Sequence, residues 1–245
     1  MNASKSNKKQ EIELREQRLL QIGANILLTE GFAALSMERL AEELRTAKGT
    51  VYNHYPNREE LLLSLAVQAL NKRQDMFDVA STSRGSSKER MLAIGVACEI
   101  YVQSYPQFFM VENIVRHASI WERCSDAKRD LMRKQEHRCM SLVSGVVRSA
   151  IADGDLLMPN GVRPEEMTLS LWALTYGSYL LDATSPSLKE LGVESVHRAV
   201  RIGARCTMDG FGWQPIWTEQ EHAAHTQRIC KTVFPDEQPL SPLPE

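Results

Sequence analysis

This chain lacks any run of 18 or more apolar residues and any long stretch that alternates apolar with polar residues. Neither a membrane-spanning helix nor a strand-built scaffold is therefore expected. Five cysteines (Cys98, Cys124, Cys139, Cys206 and Cys230) form an odd, scattered set without a Cys-X-X-Cys pair. That spacing supports free thiols rather than a disulfide framework or a zinc cluster. His137 and Cys139, two apart on an expected helix, point about 200° from each other and do not suit a shared metal. Gly-X-Ser-X-Gly, His-Glu-X-X-His and a phosphate-cradling glycine loop are all missing, so an enzyme has no constellation to work with and no cofactor is expected. Positive charge is not in excess either, since 29 Lys+Arg stand against 31 Asp+Glu for a net charge of −2. Residues 1–75 hold 11 basic against 10 acidic side chains, so any affinity for a polyanion has to come from a local patch rather than from bulk charge. The amino terminus is rich in Lys and Asn without an apolar stretch. A signal peptide is not expected, and a cytoplasmic location is.

What the chain does contain, in 245 residues that are 43% hydrophobic and 24% charged, is helical periodicity from end to end. Residues 36–65 are the most informative. Ser36 precedes a run in which Met37, Leu40, Ala41 and Leu44 share one helical face and Glu38, Glu42 and Glu43 the other. Arg45, Thr46 and Ala47 leave room only for a turn, after which Val51 and Tyr55 recur four apart on a buried face. Pro56 stops this second helix, and Asn57 with Glu60 three residues later reads as a capping pair for the next. Two short helices across a tight turn form a helix-turn-helix, whose second helix must offer donors to a major groove about 12 Å wide. Lys48 reaches a guanine edge or a phosphate, Gly49 permits close backbone approach, the Thr50 methyl meets a thymine methyl, and Asn53 bonds a base edge. Tyr52, His54 and Arg58 suit phosphate oxygens. Half-buried packing is the competing reading for Tyr52 and His54 taken singly.

The residues Lys48, Gly49, Thr50, Val51, Tyr52, His54, Tyr55, Pro56, Arg58, Glu59 and Leu61 resemble, in order, the pattern of the DNA-binding domain of TetR-family transcriptional regulators. The resemblance spans roughly residues 12–70. It implies that Lys48, Gly49, Thr50, Tyr52, Asn53, His54 and Arg58 contact operator DNA while Val51 and Tyr55 are core. Ala47 departs from the pattern where many relatives place a capping serine, which leaves Thr46 as an alternative cap and the start of the helix open by one residue.

The remaining organisation follows from breaks in the pattern. A polar arm at 1–10, taken as flexible, carries Lys5, Lys8 and Lys9, which with Arg45, Lys48 and Arg58 can form a basic patch. Residues 11–57 are expected as the helix-turn-helix domain, beginning with a helix over about 12–30 that bears Leu19, Ile22, Ile26 and Leu27 and ends at Gly31. A connecting helix at 58–80 leads to the Ser- and Gly-rich stretch 81–87. Beyond it, 88–212 reads as a helical domain with segments at 88–104, 106–121, 125–153, 164–183 and 193–211. Residues 213–245 are an extension containing a helix at 218–233, which either covers this domain or adds to a dimer, and the last ten residues are expected to be flexible. Met167, Leu171, Leu174, Ser178 and Leu181 make an apolar stripe on one helix, and Ala199, Gly203, Cys206 and Gly210 a stripe of small residues on another.

The family resemblance implies that the last two long helices form a two-fold dimer interface and that the middle helices enclose an effector pocket. Tyr101, Phe108, Met110, Ile114, Trp121, Trp172, Tyr176 and Tyr179 are an aromatic and apolar stock for that pocket, with Cys98, Arg116 and His117 as polar anchors. Ordinary core packing is the competing reading for each. The expected fold is all-α: a three-helix helix-turn-helix domain followed by a helical ligand-binding and dimerisation domain. The expected function is a homodimeric regulator that represses from a palindromic operator and is released by a small lipophilic or aromatic effector. An activator of the same fold, or a helical adaptor that uses the motif for protein contacts, are the alternatives.

Overall fold

Ser36 accepts a hydrogen bond from the Arg39 amide at 3.1 Å, and this cap starts the helix that the alternation of Met37, Leu40 and Ala41 with acidic residues calls for. The computed structural model describes the backbone of residues 2–185 and 187–237, with side chains from residue 7 onward. Among these residues the chain is helical, with eleven α-helices and no strand beyond one isolated bridge between Leu156 and Trp213. They are α1 (Asn2–Thr29), α2 (Met37–Leu44), α3 (Lys48–Tyr52), α4 (Arg58–Ser81), α5 (Ser87–Ser104) and α6 (Pro106–Val115). There follow α7 (Ala118–Trp121), α8 (Asp126–Ala152), α9 (Pro164–Thr184), α10 (Val196–Gly210) and α11 (Glu219–Thr232). Two compact units divide the chain: Met1–Asn71 with Tyr105–Glu136, and Lys72–Ser104 with His137–Glu245.

In the first unit the backbone is already helical from Asn2, so the polar stretch expected as an arm continues α1, with Lys8 and Lys9 exposed. The side chain of Lys5 and the last eight of the ten terminal residues expected to be flexible lie outside the described residues. Gly31 follows α1 with φ +84°, a left-handed conformation that glycine adopts without steric penalty. Leu19, Ile26, Leu27, Leu40, Val51, Tyr55 and Leu61 to Leu63 are almost wholly buried together. The same core takes in Val111, Val115, Ile120, Cys124 and Met132. The span 88–212, expected as one domain, is therefore shared, because the apolar faces of α6 and α7 and the start of α8 pack on the core of the helix-turn-helix.

In the second unit α5 is buried nearly all round, from Met91 to Tyr101, and packs with α9, α10 and α11. Gly203 on α10 lets Leu174 of α9 come close: a Cβ there would stand 3.1 Å from the leucine methyls. The small-residue stripe thus serves, at Gly203, the chain's own helix pair. Met167 and Leu171 are buried, whereas Leu181, expected on the same stripe, is 54% exposed.

The extension is not loose up to Glu237. Trp213 is fully buried and donates from Nε1 to Ser87 Oγ at 2.9 Å. Lys88, also fully buried, reaches Asp209 Oδ1 at 2.7 Å, Trp213 O at 2.8 Å and Pro215 O at 2.6 Å, with its ammonium 5.0 Å from the Trp217 ring centre. Thr218 and Glu221 close a capping box at the start of α11. That helix buries His222, Ala223, Thr226, Ile229 and Cys230.

Replacing Lys88 by Met removes the cation that satisfies two carbonyls and a carboxylate. Urea denaturation is expected to show a loss of about 3 kcal/mol. Burial, with Arg205, Lys88 and Arg201 nearby, pushes the His222 imidazole down to about 4. The ring is neutral in the fold but protonates in the unfolded chain below its ordinary value near 6.5. Stability is accordingly complete above pH 6.5 and falls toward pH 4, by up to about 3 kcal/mol. A His222→Gln variant should show a flatter stability profile in that window.

Candidate nucleic-acid interface

Helix α3 has only five residues and owes its position to two of them: Val51 is fully buried and Tyr55, just beyond its end, is 2% exposed. The Tyr55 hydroxyl donates to Glu16 Oε1 at 2.9 Å, tying the end of the motif to α1. Burial and that acceptor push its ionisation far above the ordinary phenol range. Arg45 ends α2 in the left-handed region at φ 53°, with the Thr46 amide returning to Ala41 O at 3.0 Å. Ala47 occupies the cap position of α3 and provides no side-chain cap, so the helix begins at Lys48 and Thr46 does not substitute. At the next boundary Asn57 Oδ1 accepts from the Glu60 amide at 2.8 Å, but Glu60 does not return the bond. Its carboxylate instead accepts from the Ser125 amide at 2.5 Å, so the expected capping pair is made on one side only.

With Val51 and Tyr55 turned inward, Lys48, Gly49, Tyr52 and Asn53 are exposed, and Thr50, His54 and Arg58 half-buried. Lys48 Nζ lies 3.0 Å from Glu38 Oε1, a bond that holds the Glu38 carboxyl below its usual range. This pair is open to water and easily exchanged for a phosphate. Arg58 is more constrained: it donates to Leu35 O at 3.3 Å and lies 4.7 Å over the Phe32 ring. Arg39 is held by Glu30 at 3.2 Å and Glu43 at 2.9 Å, which raises its already high pKa. The acids of α2 thus neutralise part of the nearby positive charge, and sequence inspection had not paired them with these bases.

The candidate effector residues divide between the units. Phe108, Met110, Ile114 and Trp121 pack half-buried on the first unit's core, and His117 stands exposed just before α7, with no side-chain cap bond to it. Tyr101 is 1% exposed in the second unit, where Trp172 and Tyr176 form an edge-to-face pair with ring centres 6.3 Å apart. The second unit also holds a polar cluster that sequence reading passed over. Glu99 of α5, 3% exposed, receives Arg201 Nε on Oε2 at 2.9 Å and Arg201 Nη2 on Oε1. His197 Nδ1 lies 3.9 Å from Glu99 and 3.4 Å from the Tyr179 hydroxyl, and its Nε2 lies 3.1 Å from Gln103 Nε2. Burial lowers the His197 pKa and, with the Glu99 charge, raises that of Tyr179. The available signal was Glu99 itself, one acid in the apolar run from Met91 to Tyr101.

Residues 19–65, the span from the buried Leu19 through the recognition helix to α4, match the family model of bacterial regulatory proteins of the tetR family. Over these residues the chain is similar to the DNA-binding domain of the TetR family. A stretch of the chain is also similar to the HTH-type transcriptional regulator EthR of Mycolicibacterium smegmatis, at 30% identity over 91 residues. That match covers 37% of this chain and 41% of the relative, so it speaks for less than half of either protein. The Fatty acid metabolism regulator protein of Bacillus subtilis is 18% identical over 189 residues, 74% of this chain and 94% of the relative. In fold, the chain resembles a tetR-family bacterial regulatory protein from Rhodococcus RHA1, with a TM-score of 0.64 at 13% identity over 82% of this chain and 98% of that one. Among the described residues no helix is long and apolar enough to cross a membrane.

Exposed and buried faces of this TetR-type motif should separate in stability measurements. Lys48→Ala and Tyr52→Ala are expected to change unfolding free energy by no more than about 0.5 kcal/mol. Val51→Ala, which empties a sealed position, is expected to lower it by about 2 kcal/mol.

Proposed function

We propose that this protein is a homodimeric, sequence-specific transcriptional repressor of the TetR family that lets go of a palindromic operator when a small lipophilic effector binds. The observation that carries the reading is the match of residues 19–65 to the family, with Lys48, Gly49, Tyr52 and Asn53 exposed on a helix whose other side is buried. Lys48, Thr50 and Asn53 are assigned to base edges, and Tyr52, His54 and Arg58 to phosphates. One five-residue helix offers few contacts, so two heads reading half-sites about 34 Å apart, or a multiple of it, supply the specificity. Leu169 and Leu181 on α9, and Ala199, Cys206 and Gly210 on α10, are exposed in the single chain and favour a second copy as their cover.

Release requires the effector to bind the DNA-incompetent arrangement more tightly. Tyr101, Trp172 and Tyr176 are the assigned apolar contacts, and α4, whose residues belong to both units, is the covalent path of the signal. The fatty-acid regulator among the relatives favours a lipophilic ligand. A cytoplasmic location follows from operator binding.

Selection of bound sequences from random duplex DNA tests the proposal. The wild-type protein is expected to enrich a palindrome that a Lys48→Ala, Tyr52→Ala variant does not. Affinity for it should fall by about 10³-fold between 50 and 200 mM salt. A folded protein that enriches nothing would point instead to an adaptor.

A further inference from the structure

We propose that Arg201, with Tyr179, Gln103 and His197, forms a subsite for the carboxylate of an amphiphilic effector, and that Glu99 occupies it in the ligand-free protein as a resident stand-in. The inference rests on the ligand-responsive reading above and names the chemistry of the ligand. It begins from Glu99 and Arg201, whose side chains are 4% and 12% exposed. Replacing a buried ion pair by apolar residues of similar volume is often neutral or stabilising, so fold stability alone gives no account of this one. A two-point arginine–carboxylate bond fits any carboxylate of the same shape. The guanidinium that holds both oxygens of Glu99 presents the same fork to a ligand.

The surroundings supply what an exchange needs. Tyr179 adds a hydroxyl and Gln103 an amide, both within hydrogen-bonding range of His197. His197 faces Glu99 of α5, Tyr179 and Asp182 of α9 and Arg201 of its own helix, while Cys230 of α11 lies close to Glu99 and Arg201. When a ligand carboxylate takes the fork, His197 accepts one proton from solvent and becomes the new partner of the displaced Glu99. Two carboxylates then face two cations, and the buried charge stays balanced. Clusters of interacting titratable groups of this kind concentrate at binding sites. The apolar body of the ligand is accommodated along α9, where Trp172 and Tyr176 stand seven and three residues before Tyr179 on one helical face.

Calorimetry of the full-length protein with decanoate, kept below its micelle concentration, and with decan-1-ol tests the subsite. Decanoate is expected to bind at least tenfold more tightly than the alcohol. Arg201→Gln should remove that advantage, whereas Glu99→Gln, which eliminates the resident competitor, should tighten decanoate several-fold. A purely structural ion pair would make both variants weaker, and that result overturns the proposal, as does a folded wild-type protein that binds no decanoate. Should Arg201→Gln fail to fold, Arg201→Lys keeps the charge without the fork; an undiminished affinity there is equally fatal. Operator binding by the same preparations separates the two readings. Loss of all sequence-specific DNA binding ends the regulator assignment, while intact operator binding without a carboxylate preference ends only the subsite.

Discussion

A helix of five residues has almost no stability of its own, because nucleating a turn fixes several backbone torsions for one hydrogen bond. Helix α3 exists only because Val51 and Tyr55 are locked into the core that α1, α2 and α4 also share. The burial of those two side chains determines which way Lys48, Tyr52 and Asn53 face. It also explains the surrounding hardware: the left-handed Arg45, the cap at Asn57 and the Tyr55–Glu16 bond all fix the two ends of a segment that cannot fix itself. The orientation of the exposed face of α3 is thus a consequence of core packing.

That core extends beyond the motif. Val111, Val115 and Ile120 complete it, and Ser125 supplies the amide that occupies the Glu60 carboxylate. Arg123 lies 3.4 Å from the nearly buried Glu59, and its carbonyl accepts from Asn57. Helices after α5 in the chain therefore hold the first turn of α4, next to the recognition helix. A signal that shifted residues 105–136 would be felt there directly, through packed and hydrogen-bonded contacts rather than through a flexible connection.

The second unit solves its burial problem differently. Its central helix α5 carries a lysine and a glutamate into an apolar interior, and each is matched by groups distant in sequence: Lys88 by Asp209 and two carbonyls near Trp213, Glu99 by Arg201. The first match pins the extension, since the chain from Trp213 onward must pass Lys88 to satisfy it. The second joins two side chains, so a carboxylate of another molecule can replace one partner. Two buried charges on one helix thus serve different ends, distinguished by whether the partner is backbone already committed to the fold or an exchangeable carboxylate.

Much of the motif was readable in the one-dimensional chain. The start of α2 at Ser36, the turn at Arg45 to Ala47, the inward Val51 and Tyr55 and the family pattern all depend on neighbours within four residues, where helical geometry alone dictates the outcome. Long-range pairing was not readable. Nothing local says that Glu60 bonds Ser125 rather than Asn57, that α6 and α7 join the core of the first unit, or that Trp213 to Thr232 packs on α5. The side chains expected as one aromatic pocket were chosen by composition, and composition carries no information on which core each joins. Residues 99 and 201 became a candidate site only when three helices met. Local periodicity and capping, being properties of consecutive residues, were determined by the sequence itself. The pairing of buried charges arose only in the folded chain, because a group taken out of water must find its partner wherever the backbone brings one.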